Sequence, residues 1–183
     1  IAVDLAGFAD VAGNATGKNK KLDETAIVIV KANTEGWWVA DIIHGRWDIK
    51  KTAKKIFEAV AHYRPISVGI EKGALKNAVL PYLTDMMKSG QRFFRVEELT
   101  HGNKKKIDRV VWALQGRFEH HQITLAEGKW NTEFLDQLFQ FPNALVHDDL
   151  VDALAYIDQL AKVSYYVDFE EEELEIIDYH AGY

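Results

Sequence analysis

The chain has 183 residues, of which 48% are hydrophobic and 27% charged, values typical of a globular domain with a sizeable core. No apolar run approaches the roughly 20 residues that a membrane-spanning helix needs, and the absence of cysteine excludes a disulfide framework. Disordered, fibrous, membrane-spanning and disulfide-stapled classes are therefore excluded. Because the chain begins at Ile1 inside an apolar run, we expect it to be a piece of a longer protein.

The formal net charge of −6 is unevenly distributed along the chain. Residues 165–183 hold seven acidic residues and no Lys or Arg, so the rest of the chain has 28 − 7 = 21 acidic against 22 basic residues. We therefore predict a near-neutral domain over residues 1–164, followed by an acidic tail over residues 165–183. The basic runs within the domain are either solvated faces or local patches for a polyanion such as DNA.

Hydrophobic periodicity predicts an alternation of strands and helices. Runs rich in β-branched and aromatic residues predict strands, and apolar residues at helical spacing predict helices. The predicted strands cover residues 1–6, 25–32, 37–45, 66–71, 92–99 and about 122–125. The predicted helices begin after Asp48, near 75, after Asn103, at 131 and at 148, the last running to 162. This order predicts an α/β fold with a mixed central sheet, its first three strands antiparallel and the next two parallel.

Acidic residues interrupt apolar elements at three places. Asp4 lies inside the apolar strand IAVDLA, Glu71 ends the run ISVGI, and Asp148 and Asp149 open the last helix, with Asp152 one turn later. Carboxylates that converge repel each other unless a cation is present, and oxygen ligands favour Mg²⁺ or Mn²⁺. A pair of such ions can hydrolyse a phosphodiester. Two alternatives stay open: helix N-termini favour acids in any case, and a distant ion pair could satisfy Asp4.

Two further groups of residues flank these acids. His147 precedes the acidic pair. Three roles stay open for it: a residue that orients the ligands, a ligand itself, or a helix-entry residue. The loop over residues 7–24 holds Lys18, Lys20 and Lys21. Its Gly13–Lys18 segment lacks the spacing of a nucleotide-binding loop, so we predict contact with DNA through these lysines instead.

The motifs together resemble a known family. They are, in order, 1-IAVDLAGFAD-10, 23-DETAIVIV-30, 69-GIEKGA-74, 104-KKKIDRVVWALQGRFEHHQITL-125 and 141-FPNALVHDDLVDALAY-156. This set resembles the nuclease domain of the large terminase subunit of tailed bacteriophages, which has the ribonuclease-H-like (retroviral-integrase-like) fold. The resemblance implies that Asp4, Glu71 and Asp149, with Asp148 close to them, bind two Mg²⁺ or Mn²⁺ ions. It also implies that Lys105, Lys106 and Arg109 lie near DNA, with His147 and Asp152 supporting the ligands.

The resemblance implies a metal-dependent endonuclease that cuts concatemeric double-stranded DNA when genome packaging starts and ends. The implied partners are an ATPase domain preceding residue 1, a small terminase subunit and the capsid portal, in the host cell cytoplasm. Two other interpretations remain open: a Holliday-junction-resolvase-like or transposase-like nuclease, and a non-catalytic interaction module with structural acids.

Overall fold

The computed structural model describes residues 1–7, 24–100, 102, 105–143 and 145–161. Lys18, Lys20, Lys21 and the predicted tail over residues 165–183 lie outside the described residues. The elements follow one another in the predicted order. They are β1 (Ala2–Asp4), β2 (Thr25–Ala32), β3 (Trp37–Gly45), α1 (Ile49–Tyr63), β4 (Val68–Glu71), α2 (Ala74–Ser89), β5 (Val96–Leu99), α3 (Lys106–Glu119), β6 (Ile123–Leu125), α4 (Asn131–Gln140) and α5 (Asp149–Ala155).

The strands form one six-stranded mixed sheet in the order β5-β4-β1-β2-β3-β6. Strands β1, β2 and β3 are antiparallel neighbours, whereas β4 pairs in parallel with both β1 and β5. The predicted fold class is therefore confirmed. Strand β6 pairs in parallel with β3 at the other edge, an arrangement that the chain order did not indicate.

Helices cover both faces of the sheet because successive strand side chains point to opposite faces. Val3, Ile27 and Ile29 point to one face and pack with buried residues of α1 and α2. Ala2 and Val28 point to the other face and pack with α3, α4 and α5. The two hydrophobic layers hold β1 in the middle of the sheet, with a helical layer on each side.

Local signals in the sequence account for several boundaries. Asp48 caps α1 as predicted, with its Oδ1 accepting the backbone N–H of Lys51 at 2.8 Å. Strand alternation separates the two adjacent tryptophans of β3, since Trp37 is 3% exposed and Trp38 is 41% exposed. The start of α1 and the orientation of the β3 side chains thus follow directly from the local sequence.

Three predicted boundaries are wrong. Strand β5 begins at Val96 rather than at residue 92. Helix α3 begins at Lys106 with Lys105 as its N-cap. The predicted cap, Asn103, lies outside the described residues. The final helix is interrupted: α5 ends at Ala155, and the backbone N–H of Gln159 bonds to the carbonyl of Tyr156, three residues earlier. Helical residues resume over 157–161, so this tighter turn interrupts at Tyr156 the helix expected over 148–162.

Candidate metal centre at one end of the sheet

Adjacent parallel strands bring Asp4 and Glu71 together. The β1–β4 register pairs Ala2 with Gly69 and Val3 with Ile70, so Asp4 and Glu71 follow one residue later at the same end of the sheet. The Glu71 carboxyl lies within hydrogen-bonding reach of Asp4, and this contact helps to raise the pKa of Asp4. The structure thus juxtaposes two acids that lie 67 positions apart in the sequence.

Burial raises the pKa of Asp4 well above its usual range, and the hydrogen bond with Glu71 adds to this. Repulsion from Asp152 and Glu71 raises the pKa further, while the Lys106 ammonium opposes the change. The negative charge at this end of the sheet is therefore unfavourable in the protein alone. A bound cation would relieve the repulsion.

The first turn of α5 brings Asp149 to the same end of the sheet. Asp149 is buried, and its Oδ2 accepts the backbone N–H of Glu24 at 3.0 Å. Glu24 directly precedes β2, in which Ala26 pairs with Asp4. His147 lies beside this carboxylate, with its Nδ1 3.5 Å from the Asp149 Oδ2, and its supporting role stays a prediction.

Lys106 bridges the other two acids of α5. Its Nζ lies 2.8 Å from the Asp148 Oδ1 and 3.1 Å from the Asp152 Oδ2. Burial alone would lower the pKa of the Lys106 ammonium, but the Asp152 and Asp148 carboxylates outweigh burial and raise it. Lys106, predicted to lie near DNA, is therefore held charged within the acidic group.

Arg109 lies in the interior rather than on a DNA-facing surface, which corrects its predicted placement. Only 8% of the residue is exposed. Its guanidinium donates a hydrogen bond to Asp152, donates a second to the Tyr156 hydroxyl at 3.2 Å, and lies over the Tyr156 ring at 4.4 Å from the centroid. Lys105, by contrast, is exposed at the start of α3. Its predicted contact with DNA stays a prediction.

The sequence analysis missed Tyr156. Its side chain is fully buried, and burial raises the pKa of its hydroxyl; the nearby Arg109 opposes this, while Glu71, Asp152 and Asp4 add to it. The hydroxyl therefore stays protonated beneath the carboxylates. Its spacing of four residues from Asp152 on one helix was the signal that could have identified it.

A second polar group was also missed, next to the first. Ligand atoms of Glu24, His44 and Glu133 lie within 4.8 Å of one another, close enough for one metal ion to bridge. His44 lies 2.9 Å from Glu24 and 3.7 Å from Glu133, and the Arg46 guanidinium lies 3.8 Å from Glu24, so a permanent cation already faces this group. Within the described residues, Asp4, Glu71 and Asp149 do not gather as tightly.

The chemistry of the sheet-end acids nevertheless suits a hard divalent cation. Asp4, Glu71, Asp148 and Asp149 offer carboxylate oxygens alone, the donors that Mg²⁺ and Mn²⁺ prefer. Their mutual repulsion, expressed in the raised pKa of Asp4, leaves negative charge for a cation to neutralise. The residues present therefore fit such an ion. Their assignment as ligands stays a prediction.

A mixed sheet of this topology, with helices on both faces, defines the ribonuclease-H-like class of fold. The chain belongs to the family of terminase RNaseH-like domains, whose model matches residues 2–158. The predicted family is therefore confirmed. Among the described residues, no helix is both long and apolar enough to cross a bilayer.

Several solved structures are similar to this chain at low sequence identity. The human cytomegalovirus terminase nuclease domain, soaked with Mn and bound to an inhibitor, is 15% identical with a TM-score of 0.61, covering 91% of this chain and 84% of that chain. The fowlpox virus resolvase in complex with Holliday-junction DNA is 12% identical with a TM-score of 0.48, covering 76% and 92%. Thermus thermophilus RuvC is 12% identical with a TM-score of 0.38, covering 74% and 84%. No curated protein sequence matches the chain significantly.

Proposed function

We propose that this terminase RNaseH-like domain is a divalent-metal-dependent endonuclease that hydrolyses phosphodiester bonds of double-stranded DNA. The observation that carries the proposal is the group of carboxylates at one end of the sheet, where Asp4 and Glu71 stand on paired parallel strands and Asp149 is held by the Glu24 backbone. Membership of the terminase family supports a nucleic-acid substrate.

Asp4, Glu71 and Asp149, with Asp148 beside them, would hold two Mg²⁺ or Mn²⁺ ions. When bound, such ions supply Lewis-acid activation of water and stabilise charge on the phosphodiester. The chain itself contributes placement, because Asp4 and Glu71 stand on paired strands and the Glu24 N–H fixes the Asp149 carboxylate. Beneath them, Arg109 donates one hydrogen bond to Asp152 and a second to the Tyr156 hydroxyl, so the guanidinium holds Asp152 from the buried side.

In the cell, we infer that the domain cuts concatemeric viral DNA at the start and end of genome packaging, in the host cytoplasm. An ATPase domain, a small terminase subunit and the capsid portal are its proposed partners. Lys105 and the loop lysines Lys18, Lys20 and Lys21 are its proposed contacts with the phosphate backbone. The family assignment supports this role.

Plasmid cleavage tests the activity directly. Asp4→Asn and Glu71→Gln remove ligand charge with little change in volume, so we expect each to lower the Mn²⁺-dependent nicking rate by about 100-fold or more. Asp85→Asn, an exposed acid on α2, is the matched control and should cleave at the wild-type rate. Wild-type cleavage by Asp4→Asn would reject the site. A strong preference for four-way junctions over linear duplex would instead favour a resolvase-like activity.

A further inference from the structure

Lys106 occupies the acidic centre in a way that its position at the start of α3 did not suggest. Its ammonium lies within hydrogen-bonding distance of two carboxylates, at 2.8 Å from Asp148 and 3.1 Å from Asp152. The side chain is nevertheless 41% exposed, whereas that of Asp152 is 5% exposed. Lys106 therefore enters the centre from the solvent side.

The two basic residues that pair with this centre differ in their freedom to move. Among the described Lys and Arg residues, Lys106 and Arg109 are the ones shown in ion pairs with the acids of α5. Arg109 is buried, and both Asp152 and the Tyr156 ring hold its guanidinium. Lys106 has a flexible four-carbon stem and an open route to solvent. Lys106 is thus the cation that can leave.

An ammonium and a divalent ion compete for the same oxygen. The Asp148 Oδ1 that accepts from Lys106 belongs to the carboxylate beside Asp149, where the proposed ions would bind. Two cations held within a few ångströms of each other repel, and the repulsion is stronger in a partly buried site than in bulk water. An ion bound at Asp148 would therefore drive the ammonium away.

We propose that Lys106 is an exchangeable counter-cation of the metal centre. In the free domain it neutralises part of the acidic charge, and it leaves Asp148 when a divalent ion binds. It lowers the intrinsic affinity of the centre for metal and keeps the acids together before metal arrives. The inference rests on the proposed function, because it takes these acids to be metal ligands. Lys106 acts through the carboxylates and is a positioning residue.

Mn²⁺ binding to the DNA-free 183-residue chain tests this without any turnover. The free Mn²⁺ signal in electron paramagnetic resonance gives the Kd of the wild type and of three variants. Lys106→Met should bind Mn²⁺ about tenfold more tightly because the competing charge is gone. Lys106→Arg keeps the charge and should stay within about twofold of the wild type. Lys105→Met removes the same charge one residue away and should change the Kd by less than about twofold.

Each outcome separates the inference from the proposed function. Unchanged or weaker Mn²⁺ binding by Lys106→Met, or equal tightening by Lys105→Met, overturns the exchange. A wild-type chain that binds no Mn²⁺ overturns the metal centre and the exchange together. If the wild type binds Mn²⁺ and Asp4→Asn does not, the bound ion lies at the proposed acids. Thermal unfolding establishes that the variants are folded, and Lys106→Gln replaces Lys106→Met if the latter does not unfold cooperatively.

Discussion

Asp4 carries the electrostatic cost of the candidate site. A carboxyl group with a raised pKa in the folded state binds a proton more tightly there than in the unfolded chain. Stability therefore falls as pH rises from the unfolded pKa of about 3.9 towards the folded pKa, and the loss persists at higher pH. The site is thus built at the expense of stability, as expected where charges converge for binding.

Asp4→Asn should therefore stabilise the metal-free domain at pH 7. The amide removes the buried charge and its repulsion, so we expect a higher Tm than the wild type at pH 7 and a smaller difference as pH falls through about 4, below which Asp4 becomes protonated in the unfolded state as well. Adding Mn²⁺ at 100 times its Kd should reverse the order by stabilising the wild type alone by about 2.7 kcal/mol. Differential scanning calorimetry in EDTA and in Mn²⁺ provides the measurement. A lower Tm for the variant in EDTA at pH 7 would contradict the assigned cause.

At the same scale, α3 shows what a residue pattern can and cannot predict. Val110 and Leu114 share a helical apolar spacing and are buried. Ile107 shares the same spacing but is 47% exposed, and Arg109, predicted to lie near DNA, is buried. The ion pair of Arg109 with Asp152 explains the difference, because its partner lies 43 residues away and no local period reports that contact.

At the scale of elements, the start of α5 is capped by another helix. Asp148 stands at the N-cap position, but its side chain makes no capping hydrogen bond. The backbone N–H of Leu150 instead donates to the Gln137 Oε1 on α4 at 2.9 Å. The Asp148 carboxylate is thereby left for Lys106, or for a metal ion. A helix that caps itself with its first acid would lose that acid as a ligand.

Gln137→Ala should consequently destabilise the domain and disturb the site together. Leu150 loses its capping acceptor in a buried position, so we expect the free energy of unfolding to fall by about 1–2 kcal/mol. Exposed Gln140 on the same helix gives the matched control, and Gln140→Ala should change stability by less than about 0.5 kcal/mol. Urea unfolding followed by circular dichroism measures both. Equal effects of the two variants would show that the cap contributes nothing.

The elements themselves were largely predictable, and the gaps have physical causes. Alternation along β2 and β3 and the Asp48 cap of α1 are local, and the structure confirms them. The break at Tyr156 was missed because α5 is buried on every side, so its apolar period is not interrupted by polar positions. The parallel pairing of β6 with β3 depends on contacts across the whole sheet.

At the scale of the whole molecule, the candidate site combines distant segments. Asp4 comes from the first strand, Glu71 from the fourth, Lys106 from α3 and Asp149 from α5. Sequence reasoning could single out the acids because each interrupts an apolar element. It could not place Lys106 among them, because α3 and α5 meet only in the folded chain. It could not join Glu24, His44 and Glu133 either, because that group forms only when β2, β3 and α4 meet.

The uneven charge of the chain also gives a prediction about DNA binding. Removing residues 165–183 changes the formal net charge from −6 to +1, since seven acids and no Lys or Arg are lost. We expect the shortened chain to bind duplex DNA about threefold more tightly at 0.1 M salt, where the Debye length is about 10 Å, and equally at 1 M, where it is about 3 Å. Fluorescence anisotropy over this salt range, with Ca²⁺ in place of Mg²⁺ or Mn²⁺, measures the DNA affinity of the shortened chain and of the 183-residue chain.

A 183-residue variant with the seven acids of residues 165–183 changed to amides separates two causes of that gain. It keeps the apolar residues Phe169, Leu174, Ile176, Ile177 and Tyr179 but removes the charge. If long-range repulsion of DNA phosphates is the cause, this variant should bind DNA as the shortened chain does at every salt concentration. If the segment docks on the DNA-binding face through its apolar residues, the amide variant should stay weaker than the shortened chain. Identical affinity of the shortened and 183-residue chains at 0.1 M would show that the acidic segment does not oppose DNA at all.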